Sequence, residues 1–501
     1  MINKKITLLI SIIGCTYLFY EQSLGINTLL FDLLLVGLLS IDQEQRLKFK
    51  QQWAIVGSLL LNAIAITLQN STLAITTHAI TVLLLAGLCF SSTPSLYIYL
   101  FNGVINLLSA FLNNIWLVMD TSISRETPHN GKGSWGKKLS LYFYPIVITL
   151  IFLGLYSLAN PVFSSFIQIP SVSISTSFII FVLTATFFLT AFYYPFGHQD
   201  SLRVDANCPD KLSRVKVKVK QVLDTLALKT ELQRGVLLFI MLNILLFFFN
   251  GVDLFYWINK KSLPEGVTFS AYLHQGVETL IVSILLAIGI ILYYFRGNLN
   301  FYARNQQLIR FTNLWIAQNI LLILNIVHKN QLYIHEFGLT YKRIGVYFYL
   351  LFSFIGLVIT YLKVKNTQTV WYLLRRNSFY GLMILSISSL INWDGLIVHY
   401  NIQYAKQLDV TYLLNLNDSV LPELNNLLKS PKTNLSEIVT DYTSESDGDK
   451  DYPSLERIPQ RQFIENQVKR FKENYPKKEW QSWNYSDYQT YKQLVGNNVE
   501  F

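Results

Sequence analysis

Charged residues are scarce in this sequence. Asp, Glu, Lys and Arg make up 14% of its 501 residues, whereas a soluble domain normally contains about 25%. Such a low fraction excludes an ordinary water-exposed surface over most of the chain. Hydrophobic residues make up 51% instead. The composition therefore predicts a protein that has the lipid bilayer as its second solvent.

Cysteine is rare, and the sequence signatures of enzymes are missing. The cysteines Cys15, Cys89 and Cys208 are scattered, so neither a disulfide framework nor a metal site is predicted. The sequence contains no GxxxxGK[ST], no HExxH and no GxSxG, and no GxGxxG follows a strand. These patterns would place phosphates, zinc or a nucleophile. We therefore expect no catalytic residue, no metal and no cofactor.

Long apolar runs dominate what is present. A helix needs about 20 mostly apolar residues to cross the hydrocarbon core, and within lipid such runs must be helical. The sequence thus predicts an all-α, polytopic transmembrane helical bundle of 11–13 spans, covering residues 1–395. A small, polar and mostly helical extramembrane tail at 396–501 completes the prediction. The candidate spans are Ile6–Tyr20, Leu24–Ile41, Trp53–Leu68, Leu73–Phe90, Leu96–Met119, Leu139–Ala159, Ser175–Tyr194, Gly235–Trp257, Gly276–Phe295, Phe311–Val327, Ile344–Leu362 and Phe379–Ile391.

The distribution of positive charge predicts the topology. The loops at 119–138, 196–234, 296–310 and 363–376 hold 19 Lys and Arg, and the loops that alternate with them hold five. The first set should be cytoplasmic, which places the tail on the non-cytoplasmic side. The basic loop at 42–50 also suggests the cytoplasm, yet an odd number of runs separates it from 119–138. Either one run does not cross, or the 42–50 loop lies outside. The basic excess indicates topology and the lipid bilayer as partner, and not nucleic acid.

The tail has its own pattern. Leu and Tyr recur at helical spacing in 404–428 and apolar residues do so in 454–474, while 440–452 resembles a linker rich in Asp, Ser and Gly. Trp and Tyr then cluster at 480–491, where packing or interface anchoring is the ordinary role. An envelope protein that binds the tail is one hypothesis for a partner.

Polar residues inside the spans need a reason, because a charge at the bilayer centre costs about 2.5–3.5 kcal/mol on insertion scales. On the eighth span, Asn243, Asn250 and Asp253 share a helical face. On the tenth, Gln318, Asn325 and His328 repeat that spacing, and Glu278 opens the ninth. Two interpretations stay open: hydrogen bonds between helices, or a polar path between spans eight to ten.

The segment LYIHEFGLTYKR at 332–343 predicts a turn between two helices. Gly338 would end one helix in a left-handed cap, and Thr340 would cap the next. Tyr333 and Glu336 would lie at the membrane surface, and Arg343 would pair with Glu336 or Asp253. A second motif, NWDG, contains Asn392 and Asp394 and reads as a helix end at the interface. A structural turn without chemistry is an equal interpretation.

Several of these stretches resemble a family of bacterial multi-pass inner-membrane proteins that is catalogued as a domain of unknown function. The most specific element is the YI-x-x-[YF]-GLT-x-x-R motif, in which Phe337 stands where Tyr is frequent; His274 likewise replaces a frequent Arg. The resemblance implies an architecture and motif positions, and no reaction, ligand or cofactor. The matching stretches are Leu24–Phe31, Asn160–Phe163, Asp253, Ala271–Leu280, Leu332–Arg343, Asn392–Ile402, Leu408–Leu416 and Trp480–Ser486.

Three classes of function follow. The favoured hypothesis is a non-enzymatic protein of the bacterial cytoplasmic membrane that acts in sensing, envelope assembly or scaffolding. The second is a transporter with a polar path between spans eight to ten. The third is a membrane enzyme that acts on a lipid-linked substrate. The candidate functional polar cluster contains Asp253, Glu278, Tyr333, Glu336, Gly338, Thr340, Arg343, Asn392 and Asp394.

Overall fold

The structure is a computed structural model, and the part of the chain that it describes is α-helical except for one two-stranded antiparallel sheet. It describes residues 4–93, 95–123, 175–214, 223–259, 269–406, 408–429, 438–443 and 454–496, with Thr149 and Leu153 as isolated helical residues. The predicted fold class is confirmed: apolar helices form a bundle, and a small helical region follows at the C-terminal end.

The first part of the bundle contains eight described helices, which begin and end close to the predicted runs. Their apolar faces meet in a core that includes Leu59, Leu85 and Phe192. The predicted run Leu139–Ala159 lies outside the described residues except for the two isolated positions. The helices are α1 (Lys4–Phe19), α2 (Ile26–Leu39), α3 (Gln43–Gln51), α4 (Trp53–Gln69), α5 (Thr72–Phe90), α6 (Leu96–Ile123), α7 (Thr176–Tyr193) and α8 (Gln199–Ala206).

The second part of the bundle has longer helices and a separate core. That core includes Phe239, Ile291 and Leu357. The two parts meet through α4, where Asn62 donates a hydrogen bond to the Ser386 hydroxyl at 3.2 Å. The helices are α9 (Leu223–Asn259), α10 (Phe269–Tyr294), α11 (Gln306–Phe337), α12 (Tyr341–Lys365), α13 (Val370–Ser388) and α14 (Trp393–Tyr404), with a short 3-10 helix at Asn298–Phe301.

The tail is folded, and it corrects one expectation. Residues 440–452 were expected to be a linker, but 440–443 belong to a strand, 438–443, that pairs antiparallel with 454–459; residues 444–452 lie outside the described part. Alternating apolar residues such as Val439 and Ile458 sit opposite each other across the pair. The elements are α15 (Val410–Leu413), α16 (Leu421–Leu427), β1 (Ile438–Thr443), β2 (Ser454–Pro459), α17 (Gln460–Asn474) and α18 (Tyr485–Val495), with 3-10 turns at Asp418–Val420, Tyr475–Lys477 and Trp480–Ser482.

Within the described residues, fewer helices pass a length and composition test for membrane spans than the 11–13 spans predicted for the whole chain. Among the described residues, five helices are long and apolar enough by length and composition, or seven if each bent pair is one span. The bent pairs are α2 with α3, at 119°, and α13 with α14, at 64°. The difference arises because helices form at most predicted runs but several, such as α4, have fewer than 18 residues.

The basic loop at 42–50 packs against the end of α5. Gln45 Nε2 donates to the Cys89 carbonyl at 3.0 Å, and Lys48 Nζ reaches the same oxygen at 3.3 Å. Gln52 Nε2 donates to the Thr93 carbonyl at 3.3 Å. The loop therefore lies at the end of the bundle where α5 finishes and α6 begins.

Contacts from the later basic loops reach this same end. Arg375 donates to Asp205 Oδ1 at 2.8 Å and to the hydroxyl of Ser95, the residue before α6, at 2.8 Å. Lys363 Nζ donates to the Phe295 carbonyl at 2.7 Å, which joins the ends of α12 and α10. The 42–50 loop and the basic segments near 203–214, 296 and 363–376 thus share one end, here called the basic end. Most of 119–138 is outside the described part, and the side of the membrane that the basic end faces stays a prediction.

Candidate functional site

The turn between α11 and α12 brings several predicted residues together. Gly338 ends α11 with φ +79°, as expected, but ψ is 179°, which is extended and not left-handed helical. Thr340 caps α12 as predicted, its hydroxyl accepting from the Arg343 amide. Glycine is required here because a side chain rarely tolerates this φ. We call Gly338, Thr340, Tyr341, Arg343, Asp394 and Asn401 the turn site.

Helix α14 holds this turn from the other side. Asn401 is buried and clamps Leu339: its Oδ1 accepts from the Leu339 amide at 2.5 Å, and its Nδ2 donates to the Leu339 carbonyl at 2.8 Å. Asp394 is also buried, and its Oδ1 accepts from the Tyr341 hydroxyl at 2.8 Å. Buried polar groups that are fully hydrogen-bonded fix one backbone arrangement. The turn site therefore locks α11, α12 and α14 together.

The expected partners of Arg343 are wrong. Its guanidinium donates to the carbonyl oxygen of Phe337 at 2.7 Å and to that of Gly338, and it lies 4.4 Å from the centre of the Tyr333 ring. Helix α11 ends with unpaired carbonyls, and a cation beside them is favourable. A planar donor can serve both carbonyls at once. Arg343 thus caps the helix and does not pair with a carboxylate.

The two other predicted residues near the turn take different partners. Glu336 accepts from Lys406 Nζ at 2.6 Å on the exposed rim. Asn392 is exposed, and its side chain accepts from the Gly395 amide at 2.9 Å, so it caps the start of α14. The NWDG motif was read as a helix end; it is a break of 64° followed by a new helix that carries Asp394 inward. This helix crosses the predicted domain boundary at 395.

An apolar groove of about 350 Å³ lies beside the turn site. It is bounded by α11, α12 and α14, and at its rim the Tyr347 hydroxyl donates to Gln331 Oε1 at 2.7 Å. The groove exists because α14 turns away from α13 and leaves the faces of α11 and α12 uncovered. The residues that line it include Ile334, Leu339, Ile344, Tyr347, Phe348, Trp393 and Leu396.

A second group of polar residues joins α9 and α11, and we call it the polar seam. Gln318 Nε2 donates to Asn243 Oδ1 at 2.7 Å, and Asn325 Nδ2 donates to Asn250 Oδ1 at 3.3 Å. Partner numbers rise together along both helices, so the two helices run parallel. The predicted shared faces therefore meet each other through hydrogen bonds. The polar seam consists of Asn243, Asn250, Asp253, Gln318, Asn325 and Lys329.

The seam ends in an ion pair that the sequence interpretation missed. Lys329 Nζ lies 2.9 Å from both carboxylate oxygens of Asp253, and the side chains are 11% and 10% exposed. His328 was expected on this face, and Lys329 was counted in a loop because the helix was ended at Val327. The helix continues to Phe337, and the position four residues after Asn325 also lies on the seam face.

The hydrogen bonds of the turn site and the hydrogen bonds and ion pair of the polar seam hold the helices that carry them in position. Every turn-site side chain named above has a backbone or side-chain partner. No three His, Cys, Asp or Glu side chains in the described part of the chain are grouped so as to hold a metal ion. Glu278 lies in α10, and its side chain is outside the described residues. The role of the nine candidate residues stays a prediction.

Residues missed by the sequence interpretation were present in its motifs. Tyr341 lies in the turn segment, and Asn401 belongs to the NWDGLIVHYNI stretch. Tyr412, in LDVTYLLNL, accepts a hydrogen bond from the Tyr341 amide at 2.9 Å. The sequence signal that could have identified these three residues was a polar side chain that recurs between apolar neighbours in each motif.

The comparisons give a family and no function. A family model described as "Domain of unknown function (DUF4153)" matches residues 10–427. That range includes the bundle from the middle of α1 onward, the turn site, the polar seam and the first short helices of the tail. No curated protein and no solved structure matches the chain.

Proposed function

The chain belongs to the family of this domain of unknown function, and from its geometry we propose a non-enzymatic scaffold in a bacterial cytoplasmic membrane. In this proposal the tail lies on the non-cytoplasmic side and presents a surface fixed by the bundle. A fixed surface suits envelope assembly or sensing, because a partner bound there meets a pre-organised arrangement. The observation that supports the proposal is the set of contacts that hold the tail against the bundle.

The tail is bonded to both parts of the bundle. At the start of α2, the Ile26 amide donates to the Trp483 carbonyl at 2.8 Å, and the Ser23 amide donates to the Ser482 hydroxyl at 2.9 Å. A Cβ at Gly25 would lie 2.5 Å from that Trp483 carbonyl oxygen, so the backbones are in close contact. These contacts fix the tail to the first part of the bundle.

The other docking surface is the turn itself. Ile334 and Leu339 share a buried apolar cluster with Ile464 and Phe471 of α17. The tail also reaches the turn site directly, because the Tyr412 hydroxyl accepts a hydrogen bond from the Tyr341 amide at 2.9 Å, while the segment before α18 contacts the start of α2. A rearrangement of the bundle would move the tail, which is what a sensor or a scaffold requires.

Undocking the tail should abolish function if the proposal is right. In a strain that lacks the gene, Gly25→Val should fail to restore resistance of the envelope to detergent, because the side chain collides with the Trp483 backbone. Gly37→Val on the same helix is the matched control, since nothing lies within 4 Å of that position, and it should restore resistance. Equal amounts of protein in the membrane are checked by immunoblot. Full restoration by Gly25→Val contradicts the proposal.

A transporter is a second candidate, and one observation favours it. Ionisable residues inside spans commonly mark the path of an ion or a proton, and Asp253 and Lys329 form such a pair. The double variant Asp253→Asn/Lys329→Gln removes both charges and keeps groups that hydrogen-bond. A scaffold retains detergent resistance with this variant. Loss of resistance despite normal protein amounts would favour the transporter.

Cysteine labelling can test on which side of the membrane the tail and the basic end lie. After replacement of the three native cysteines, Val495→Cys in the tail should react with a membrane-impermeant maleimide in intact cells. Lys50→Cys in α3 should react only after permeabilisation, because α3 lies at the basic end and positive loops remain in the cytoplasm. Both positions are on exposed residues. Labelling of both in intact cells contradicts the assignment.

A further inference from the structure

The 119° bend between α2 and α3 leaves a cavity at the basic end of the bundle. Its volume is about 320 Å³. Lys4 at the start of α1, Asp42 in the bend and Arg46 of α3 line it, and Leu39 and Tyr193 form part of its apolar wall. The volume is within the range of small-molecule sites, about 300–1,000 Å³. The cavity is separate from the turn site and the polar seam.

The charges around this cavity sum to one positive charge. Lys4 Nζ lies 3.3 Å from Asp42 Oδ2, and these two groups compensate each other. Asp42 is held in place as the cap of α3, accepting from the Glu44 amide at 3.0 Å. Arg46 forms no ion pair with any residue that the structure describes, and it is exposed. A ligand with a single negative charge complements this arrangement.

The buried side-chain oxygen of Gln45 favours a ligand that can donate a hydrogen bond to it. Gln45 lines the cavity and is only 7% exposed. Its Nε2 donates to the Cys89 carbonyl, which fixes the orientation of the amide. Its Oε1 accepts no hydrogen bond from the described residues. Burying an acceptor without a donor is unfavourable, so a ligand that supplies a hydroxyl would be favoured.

The helix that contributes Lys4 and Thr7 to the cavity wall also has an exposed apolar face. Helix α1 exposes Ile6, Leu9 and Ile13 on its outer face, directly after Lys4. In the bilayer that face meets lipid chains. A ligand with a charged, hydroxyl-bearing head and an apolar tail matches both regions.

We propose that this cavity binds the head group of a phosphatidylglycerol-type lipid. The phosphodiester carries one negative charge and lies between Arg46 and Lys4, and a head-group hydroxyl donates to Gln45 Oε1. A zwitterionic amine lipid fits less well, because its ammonium would meet a net positive site. The same chemistry exists in a free glycerophosphodiester, but the apolar face of α1 favours the membrane lipid.

The test is a lipid titration of the purified full-length protein in mild detergent, read by native mass spectrometry. Arg46→Gln should weaken binding of phosphatidylglycerol about fivefold, the effect of one basic residue near an anionic head group. Lys50→Gln, on the same helix and also exposed but not in the cavity wall, should leave binding unchanged. Equal weakening by both variants would show diffuse attraction and overturn the site.

A second lipid tests the proposed hydrogen bond from the head-group hydroxyl to Gln45 Oε1. Phosphatidylmethanol has the same charge but no free hydroxyl, and it should bind about fivefold more weakly than phosphatidylglycerol. Equal affinities for the two lipids would overturn the role of Gln45. Soluble glycerophosphoglycerol should not displace the lipid at equal concentration; displacement would overturn the assignment to a membrane lipid.

Discussion

Lys329→Met is expected to lower the free energy of unfolding by about 3–5 kcal/mol, the usual cost of removing one partner from a buried ion pair. The substitution leaves Asp253 without its cation, with a side chain that is only 10% exposed. The methionine side chain has a similar length but no charge, so it cannot donate hydrogen bonds to the two carboxylate oxygens of Asp253. Unfolding by SDS in mixed micelles, followed by loss of helical circular dichroism, measures the change.

The matched control removes both charges. Asp253→Asn/Lys329→Met should recover most of the stability lost in the single variant, because no buried charge remains and the rest of the seam still pairs. The neighbouring Asn250–Asn325 contact is unchanged by it. If the single and the double variants lost the same free energy of unfolding, the loss would come from packing and not from breaking the ion pair.

Gly338→Ala should destabilise the protein by about 1–3 kcal/mol from backbone strain alone. The backbone there has φ +79° and ψ 179°, where an L side chain is unfavourable. The added Cβ would also lie 2.7 Å from Asn401 Oδ1, the atom that accepts from the Leu339 amide. Both effects act on the clamp between the turn and α14. The same SDS titration measures the loss.

The control for this substitution is close by in the same segment. Gly345→Ala lies in α12, where nothing is within 4 Å of the new Cβ. There alanine should be neutral or stabilising by up to about 1 kcal/mol, because it is a better helix former than glycine. Equal stability of Gly338→Ala and Gly345→Ala would contradict the strained turn.

The docking of the tail should respond to Gly338 as well. Leu339 belongs to an apolar cluster that continues into the tail helices α16 and α17, and the Tyr341 amide donates to the Tyr412 hydroxyl of the tail, so a shifted turn should loosen the tail. Limited proteolysis of the membrane-embedded protein should then cut between α14 and α17 faster in Gly338→Ala than in the wild type. This links the turn site to the surface on which the proposed scaffold function depends.

Much of the bundle was predictable from local sequence. Long continuous apolar runs form helices whatever sequence surrounds them, because an unpaired backbone amide in lipid is costly. The boundaries of α5, predicted as Leu73–Phe90 and observed as Thr72–Phe90, illustrate this. The roles of Gly338 as a helix end and Thr340 as a cap were also predictable, since both depend on neighbouring residues only.

The partners of charged and amide side chains were not predictable in the same way. Sequence spacing correctly placed Asn243, Asn250 and Asp253 on one face, but it could not say which residue meets Asp253. Arg343 was assigned a carboxylate partner and instead serves helix carbonyls. Residues 440–443 were included in a predicted linker because their pairing with 454–457 depends on the register between two strands, which neighbouring residues do not report.

The sequence by itself determined that this protein is a helical membrane bundle with a polar tail, where most of the described helices lie, and that Gly338 ends one helix and Thr340 caps the next. These features depend on hydrophobicity and on contacts within a few residues. Only the tertiary structure decided that α9 and α11 run parallel so that Lys329 meets Asp253, that Asn401 clamps the turn, and that one helix bend opens the cavity at Arg46. Such features depend on the register and angle between helices, which are set by the packing of the whole bundle.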